Sequence, residues 1–230
     1  MKRPFVTLNM ASSIDGKITT RTREPFALGS DEDRALMQEL RSQADAVLIG
    51  RGTLYDEDPS LLVTKPELLA KRRVAHGSEQ PAAVVVSASL DFPIDDSRFF
   101  TASRNRKIVF TTAAADFSRI SRLEHYAEVV IVPANQQGSV DLAAMAASLG
   151  DYGISRLLLE GGGVLNFAML EAGLIDEIYL TLCPLIIGGA DSPTTFEGRG
   201  FTKDTMRRLR LDSVRVNSAG EIFLHYFCII

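Results

Sequence analysis

The sequence predicts an α/β fold with a mostly parallel central sheet, flanking helices and a C-terminal antiparallel hairpin. Short apolar and β-branched runs recur along the chain, and segments with helical periodicity lie between several of them, as in parallel sheets covered by helices. The last two strand-like runs are joined by Asn-Ser-Ala-Gly, which favours a hairpin. With 230 residues, 46% of them hydrophobic, the chain can bury one sizeable core, so we expect a single domain over residues 1–230.

The individual elements follow from the same patterns. The predicted strands cover residues 5–9, 46–49, 83–86, 107–111, 129–132, 156–159, 177–182, 209–216 and 222–228. The predicted helices cover residues 31–42, 142–149 and 164–171. Ser30 is placed to cap the first helix, and Gly150 and Gly173 are placed to end the other two. Residues 64–81 are polar and charged, which predicts a surface loop or a short helix without a convincing core face.

Composition and charge exclude several classes of function. The formal charge is −4, and no basic stripe is available to neutralise the phosphates of DNA or RNA. The N-terminal apolar run is too short for a signal peptide, and no run is long enough to cross a bilayer, so we expect a soluble, cytoplasmic protein. Cys183 and Cys228 lack metal-ligand spacing, and we expect two ordinary core thiols and no metal.

The strongest local signal for chemistry is the run Glu160-Gly161-Gly162-Gly163, which follows an apolar strand and opens a helix. Three absent side chains let backbone N–H groups approach an anion, and the helix N-terminus adds partial positive charge. The run therefore predicts a phosphate or pyrophosphate cradle. The alternative is a tight strand-to-helix turn that needs glycine only for packing. The sequence is not a P-loop, because no Lys-Ser or Lys-Thr follows the glycines.

A second strand runs into the glycine-rich turn Gly50-Arg51-Gly52-Thr53. The planar guanidinium of Arg51 suits a ribose 2′-phosphate, which would favour NADPH over NADH, although a solvated loop arginine fits the spacing equally well. The acids that follow, Asp56 to Asp58, come before a proline, which favours an extended or turn conformation. Adjacent carboxylates outside a helix point in different directions, so at most one or two of these acids can face a site. Lys17 lies behind an Asp-Gly turn and is a further candidate for contacting a phosphate, although an exposed lysine is the default.

Six motifs in order resemble the reductase family of riboflavin biosynthesis, and together they span nearly the whole chain. They are Ser13-Ile14-Asp15-Gly16-Lys17, Leu40-Arg41-Ser42-Gln43-Ala44-Asp45-Ala46, Gly52-Thr53 with Asp58-Pro59, Leu159-Glu160-Gly161-Gly162-Gly163, Gly173-Leu174-Ile175-Asp176-Glu177 and Pro184-Leu185-Ile186-Ile187-Gly188-Gly189. Within the family the chain looks most like the stand-alone reductases that act on 2,5-diamino-6-ribosylamino-4(3H)-pyrimidinone 5′-phosphate. That expectation rests on the lack of a zinc-ligand deaminase signature before the first strand.

The resemblance implies a dihydrofolate-reductase-like fold, NADPH as hydride donor, reduction of a ribosylamino to a ribitylamino side chain, and a homodimer. The cofactor-binding positions that it implies are Gly50, Arg51, Thr53, Glu57, Ser87, Ala88, Ser89, Leu90, Glu160, Gly161, Gly162, Gly163, Val164 and Leu165. The implied substrate-binding positions are Arg41, Asp58, Leu61 and Glu160, with Arg41 as the phosphate partner.

Reduction of an opened ribosylamine needs an acid to protonate its nitrogen, and Glu160 or Asp58 is the expected donor, with Lys17 as an electrostatic helper. The family often has an acid where Ser87 stands, and an aspartate where Glu57 stands. Two alternatives therefore stay open: an orphan NADPH reductase of the same fold that acts on another heterocycle, and a silent NADPH-binding regulatory protein. Hydride transfer needs no covalent nucleophile, and none is expected.

Overall fold

The computed structural model describes residues 3–24, 26–101 and 104–229. The chain forms two compact units. One unit is built from Gln38–Leu158 with the short segment that ends at Pro4, and the other from Phe5–Met37 and Leu159–Ile230. Whether the whole chain behaves as one domain stays a prediction.

The strands of the first unit lie side by side in one sheet. They are β2 (Ala46–Gly50), β3 (Ala82–Val86), β4 (Lys107–Thr111), β5 (Glu128–Ile131) and β6 (Arg156–Leu159), whose last residue opens the second unit. Their order is β5-β4-β3-β2-β6, and the pairs β2–β3, β3–β4 and β4–β5 are parallel. Every residue of β2, β3 and β4 is buried, which explains why these strands read as continuous apolar runs without alternation.

Six helices accompany these strands, and the first of them, α1, begins in the second unit. They are α1 (Asp31–Gln43), α2 (Arg51–Glu57), α3 (Pro66–His76), α4 (Arg98–Thr101), α5 (Phe117–Leu123) and α6 (Leu142–Asp151). The prediction of a glycine-rich turn after β2 is wrong, because the helix α2 begins at Arg51, directly after the strand. Gly52 and Thr53 are weak helix formers, but Leu54 is only 2% exposed, so tertiary packing outweighs local propensity.

Helix α3 also corrects an expectation, since it does have a buried face. Leu68 is buried and Arg72 is only 1% exposed. The Arg72 guanidinium donates to the carbonyl oxygens of Arg41, Ser42 and Ala44, at the end of α1. A charged residue that satisfies the carbonyls at a helix end cannot be recognised as a core residue from apolar periodicity.

The second unit contains β1 (Phe5–Ser13), β7 (Glu177–Cys183), β8 (Leu209–Val216) and β9 (Ile222–Cys228) in the order β1-β7-β9-β8, together with α7 (Gly163–Glu171). Strands β1 and β7 are parallel, and the remaining two pairs are antiparallel. The predicted C-terminal hairpin is confirmed, and both of its strands have the predicted bounds. In the connecting turn, Gly220 donates its N–H to the Asn217 carbonyl. The α/β fold with mostly parallel strands is therefore confirmed.

Two of the three predicted helix caps are confirmed. The Ser30 hydroxyl accepts a hydrogen bond from the N–H of Glu32 at the start of α1. Gly173 has a φ of +67° and ends α7. The prediction for Gly150 is wrong, because α6 continues to Asp151 and the positive-φ residue after it is Gly153. Here the N–H of Ile154 bonds to the Leu149 carbonyl, and the helix ends two residues later than expected.

Among the described residues, no helix combines the length and the apolar character that a membrane crossing requires. Within the same residues, no three His, Cys, Asp or Glu side chains are grouped so that they could hold a metal ion. Cys183 and Cys228 are both free thiols, and burial raises the pKa of Cys183 to about 12.

Candidate active site

The turn between β6 and α7 contains the glycine run. Gly161 has a φ of +93°, a backbone conformation that L side chains rarely adopt, and a Cβ there would lie 3.1 Å from the sulfur of Met10. At Gly163 a Cβ would lie 2.2 Å from the carbonyl oxygen of Thr194. Glycine is therefore required at Gly161 by conformation and at Gly163 by packing. Glu160 is half-buried between β6 and this turn.

Helix α7 begins without a side-chain cap, since its N-cap is Gly162. By contrast, α5 and α6 are capped by the carboxylates of Asp116 and Asp141, each of which accepts two backbone N–H groups. The first turn of an α-helix has N–H groups with no partner inside the helix. A helix start without a side-chain cap suits an anion, as the glycine run predicts. The Glu197 carboxylate lies near this start, because a Cβ at Gly163 would lie 3.2 Å from one of its oxygens. Val164 in this turn is exposed, and Leu165 is buried.

Residues 192–197 hold Lys17 and the start of α7 together within the second unit. The Lys17 ammonium donates to the Ser192 carbonyl at 2.8 Å. The N–H of Thr195 donates to the Gly16 carbonyl, while the Thr195 carbonyl accepts from the side-chain amide of Asn166 at 2.9 Å. The N–H of Glu197 donates to the Gly163 carbonyl. Two predicted site segments are thus joined by a third that carries no recognisable motif.

The Asp-Gly turn before Lys17 is confirmed, with Gly16 at a φ of +77°. The Ser13 hydroxyl hydrogen bond and the N–H groups of Ile187 and Gly188 lower the pKa of Asp15 to about 2. The Asp15 carboxylate stays ionised and fixes the loop that contains Ile187 and Gly188 beside the turn. This contact explains why the Asp-Gly and Ile-Gly-Gly motifs occur together.

In the first unit, β2 leads directly into α2, which also begins at a glycine without a side-chain cap. Arg51 is the first helical residue and is exposed; its guanidinium lies 3.2 Å from the Asp91 carbonyl oxygen and 3.4 Å from one Asp91 carboxylate oxygen. Both side chains of this ion pair are largely solvated, so the pair contributes little to stability. Thr53 is half-buried in the first turn of α2, and Glu57 is exposed at its end.

The Asp58 carboxylate acts as a cap for α4. It accepts hydrogen bonds from the Ser97 hydroxyl at 2.6 Å and from the N–H groups of Arg98 at 2.6 Å and Phe99 at 3.0 Å. Asp58 itself has a φ of +44° at the end of α2. Three donors hold this carboxylate in one position, which suits an anchor for the loop.

The predicted substrate residues Arg41 and Leu61 are brought close together in the first unit. Arg41 lies in the last turn of α1, is only 7% exposed, and donates to the Leu62 carbonyl at 3.1 Å. Leu61 is buried with a φ of +53°. Gln38 joins the same cluster, because its side-chain amide bonds to the backbone of Leu62 and Thr64. Their role in substrate binding stays a prediction.

The turn after β3 is built from Ser87, Ala88, Ser89 and Leu90. The Ser87 hydroxyl accepts the N–H of Leu90 at 2.9 Å, which closes a tight turn in which Leu90 has a φ of +55°. Arg119 holds the turn from α5 by donating to the Leu90 carbonyl at 2.8 Å. Ser89 is exposed at the tip of the turn, whereas Ser87 and Leu90 are buried.

A half-buried acid in the second unit has no counterpart in the sequence-based predictions. Asp33 lies in the first turn of α1, and burial followed by the nearby Glu221 carboxylate raises its pKa. Glu221 is held by the N–H and hydroxyl of Ser30 at 2.7 and 2.5 Å. Three acids open α1, and only the fold distinguishes the half-buried Asp33 from its exposed neighbours Asp31 and Glu32.

Comparison with known protein families shows the family to which this chain belongs. Residues 4–223 match the family described as the RibD C-terminal domain. The chain belongs to this family. It is 33% identical over 201 residues to the 2,5-diamino-6-ribosylamino-4(3H)-pyrimidinone 5′-phosphate reductase of Archaeoglobus fulgidus, covering 87% of this chain and 90% of that protein. It is 34% identical over 220 residues to the reductase of the same name from Methanothermobacter thermautotrophicus, covering 95% of each.

Solved structures confirm the fold. A pyrimidine reductase-like protein from Corynebacterium diphtheriae is similar with a TM-score of 0.80 at 23% identity, covering 99% of this chain and 92% of that one. Dihydrofolate reductase from Enterococcus faecalis is similar with a TM-score of 0.52 at 12% identity, covering 99% and 98%. The dihydrofolate-reductase-like fold and the riboflavin-reductase resemblance, both predicted from the ordered motifs, are confirmed.

Proposed function

We propose that this protein is an NADPH-dependent reductase of riboflavin biosynthesis that acts on 2,5-diamino-6-ribosylamino-4(3H)-pyrimidinone 5′-phosphate. The reaction would convert the ribosylamino side chain to ribitylamino. The observation that carries the proposal is the similarity to two reductases of that name, at 33% and 34% identity over nearly the full length of both chains. No comparable observation favours an orphan heterocycle reductase or a silent regulatory protein.

The residues present fit a dinucleotide. Helix α2 directly follows β2, helix α7 follows β6 after the glycine turn, and both helices begin at a glycine with no side-chain cap. Phosphate oxygens would satisfy the N–H groups that a capping side chain satisfies elsewhere in this chain. We assign the adenosine end of NADPH to Gly50, Arg51, Thr53 and Glu57 with the turn Ser87, Ala88, Ser89 and Leu90, and the pyrophosphate to Glu160, Gly161, Gly162, Gly163, Val164 and Leu165.

The preference for NADPH over NADH rests on Arg51. Its guanidinium is exposed, and the ion pair with Asp91 is long and solvated, so a bound 2′-phosphate could replace that contact at little cost. A guanidinium can bind a phosphate through two parallel hydrogen bonds, which a solvated carboxylate at 3.4 Å does not offer.

When bound, NADPH supplies the hydride for C1′ of the opened ribosylamine. The protein must then deliver one proton to the nitrogen, exclude water and hold the sugar. We assign the delivery of this proton to Glu160, because its side chain is half-buried beside the glycine turn. Asp58 is assigned to positioning rather than protonation, since three donors hold its carboxylate. Lys17, fixed by Ser192, would stabilise negative charge near the turn.

The remaining assignments concern the substrate, assembly and location. Arg41, Asp58, Leu61 and Glu160 would line the substrate site, with Arg41 directed to the 5′-phosphate. The Arg41 side chain is already ordered by the Leu62 carbonyl, so little conformational entropy remains to be lost on binding. We further propose that the protein acts as a cytoplasmic homodimer.

Turnover with the purified protein tests the proposal. NADPH and the ribosylamino phosphate are mixed, the loss of nicotinamide absorbance is followed, and the product is weighed by mass spectrometry. The expected result is stoichiometric NADPH oxidation with a product that has gained two hydrogens. The same compound without its 5′-phosphate is the control and should react poorly. Binding of NADPH without oxidation would support the silent regulatory protein, and oxidation with a different heterocycle only would support the orphan reductase.

A further inference from the structure

Asp33 lies in the first turn of α1 and faces the strands β1 and β7. Its carboxyl is close to the side chains of Thr181 and Cys183, both on β7. In the parallel pairing, Ala11 and Ser13 of β1 lie beside these two residues, so all four share the sheet face that Asp33 covers. Ligands of open α/β sheets bind beyond the carboxyl ends of parallel strands, and Asp33 lies at that end of both strands. It is therefore placed to meet a substrate.

The space that the Asp33 side chain occupies depends on a glycine. A Cβ at Gly29 would lie 2.2 Å from a carboxylate oxygen of Asp33 and 2.6 Å from its Cβ, so glycine is needed here for Asp33 to take this position. Asp33 is only half-buried, and part of its surface remains open to a ligand.

Thr181 provides a hydrogen-bond donor next to the same carboxyl. It is fully buried, and its hydroxyl is close enough to Asp33 to lower the pKa of that acid in part. Among the described residues, however, the Thr181 oxygen has no partner in good hydrogen-bond geometry. Buried hydroxyl groups are normally paired. A small shift of an ionised Asp33 would give Thr181 an acceptor and would position the carboxylate from the protein side.

The other charged groups near Asp33 are already engaged. Burial raises the pKa of Asp33, and the nearby Glu221 carboxylate raises it further. Glu221 is held by hydrogen bonds from elsewhere in the second unit. Arg34, the cation next to Asp33 in sequence, forms its ion pair with Asp31. A ligand that donates two hydrogens side by side would satisfy both oxygens of Asp33 and favour its ionised form.

The proposed substrate has such an edge. In a 2-amino-4(3H)-pyrimidinone, the ring N3–H and the 2-amino group lie side by side and both donate, which matches the two oxygens of one carboxylate. In the deaminated counterpart, a 2-oxo group replaces the 2-amino group and can only accept. Its oxygen would face a carboxylate oxygen with no hydrogen between them, and leaving such groups unpaired in a half-buried site is costly.

We propose that Asp33 selects the 2-amino substrate over its deaminated 2-oxo counterpart, by accepting hydrogen bonds from N3–H and the 2-amino group. This inference rests on the proposed reductase function and names the residue that recognises the ring. It places the reduction before any hydrolysis of the 2-amino group. Thr181 is the positioning residue that donates to Asp33 from β7.

Steady-state kinetics with both phosphorylated compounds tests the proposal. The wild type should favour the 2-amino compound at least about 100-fold in kcat/KM, because a site built for a hydrogen-bond donor rejects an analogue that lacks it. Asp33→Asn replaces one acceptor by an N–H donor, which pairs with the 2-oxo group while the amide oxygen accepts N3–H. This variant should lose the preference and favour the 2-oxo compound at least about tenfold.

Asp31→Asn is the matched control. It removes the same charge from the same helical turn, but Asp31 is exposed, and the preference for the 2-amino compound should stay as in the wild type. Equal use of both compounds by the wild type would overturn the proposal. A preference that Asp33→Asn leaves unchanged would overturn it as well.

Calorimetric binding of the two compounds in the presence of NADP⁺ separates recognition from reduction, because NADP⁺ has no hydride to transfer. The 2-amino compound should bind the wild type at least about tenfold more tightly, and Asp33→Asn should reverse this order. Selective binding without turnover with NADPH would contradict the reductase function and leave the role of Asp33 intact. Turnover without selectivity that depends on Asp33 would do the opposite, and the absence of both binding and turnover would contradict both.

Discussion

The side-chain amide of Asn166 donates a hydrogen bond of 2.9 Å to the main-chain carbonyl of Thr195. Asn166 is fully buried in the first turns of α7, and the N–H of Thr195 in turn donates to the Gly16 carbonyl. The position of the Lys17 loop relative to the glycine turn is therefore set by this one residue pair as much as by the glycines. The pair provides a way to perturb the site without touching a residue proposed to meet a ligand.

Replacing Asn166 by alanine should destabilise the protein and loosen the site together. The Thr195 carbonyl would lose its partner in a buried position, and the free energy of unfolding should fall by about 1–3 kcal/mol. Urea denaturation measures this loss. Affinity for NADPH should fall in parallel, because the start of α7 is less firmly placed. Unchanged stability would show that Thr195 finds another donor and that the link is dispensable.

Two glycine-to-alanine substitutions distinguish packing from ligand binding. Gly163→Ala places a Cβ 2.2 Å from the Thr194 carbonyl oxygen, and the strain should lower stability by about 1–3 kcal/mol. Gly52→Ala meets nothing within 4 Å and lies in a helix, so stability should stay the same or rise by up to about 1 kcal/mol. If α2 meets the cofactor, Gly52→Ala should nonetheless weaken NADPH binding. Thermal unfolding and NADPH titration of both variants decide between these roles.

Much of the fold was predictable because its signals are local. The bounds of β4, β6 and the C-terminal hairpin agree with the apolar runs in the sequence. Helix α2 was missed because Gly52 and Thr53 weaken its propensity, and the burial of Arg72 depends on distant carbonyls that no periodicity reveals.

The candidate site was predictable to a similar degree. Ordered motifs located the Lys17 loop and the glycine turn, which the fold holds together. Residues 192–197 carry no motif, and they act through main-chain groups that any sequence possesses.

Arg51 should determine the choice between the two nicotinamide cofactors. Arg51→Gln removes the charge, and KM for NADPH should rise about 10- to 100-fold, which corresponds to the roughly 1.5–3 kcal/mol of a hydrogen bond to a charged group. KM for NADH should change little, because NADH has no 2′-phosphate. Asp91→Asn is the control and should leave the preference for NADPH intact. Equal losses with both cofactors would mean that Arg51 is structural.

The half-buried carboxyl of Asp33 should make the stability of the protein depend on pH. Burial raises its pKa in the folded state, so folding favours the protonated acid, and this group destabilises the protein as the pH rises from about 4 through the folded pKa. Asp33→Asn should therefore gain stability over the wild type near neutral pH and lose that advantage near pH 4. Denaturation midpoints of both proteins across this range measure the effect. A constant difference between them would contradict a raised pKa.

Glu160→Gln should reduce turnover about 10²- to 10⁴-fold, the usual contribution of a general acid, with NADPH affinity little changed. Asp58→Asn should act differently, because the cap of α4 depends on its carboxylate; it should lower stability as well as turnover. Steady-state kinetics with denaturation curves for both variants separate the proton donor from the anchor. Undiminished turnover in Glu160→Gln would remove Glu160 from the mechanism.

Isotope transfer is the most direct measurement of the central claim that this chain moves a hydride from NADPH to the sugar. NADPH with both hydrogens at nicotinamide C4 replaced by deuterium is incubated with the ribosylamino phosphate and the purified protein. We predict a ribitylamino product with one deuterium at C1′, detected by mass spectrometry and NMR, in an amount equal to the NADPH consumed. A product without deuterium, or NADPH consumed with the ribosylamino compound unchanged, would contradict the reductase account.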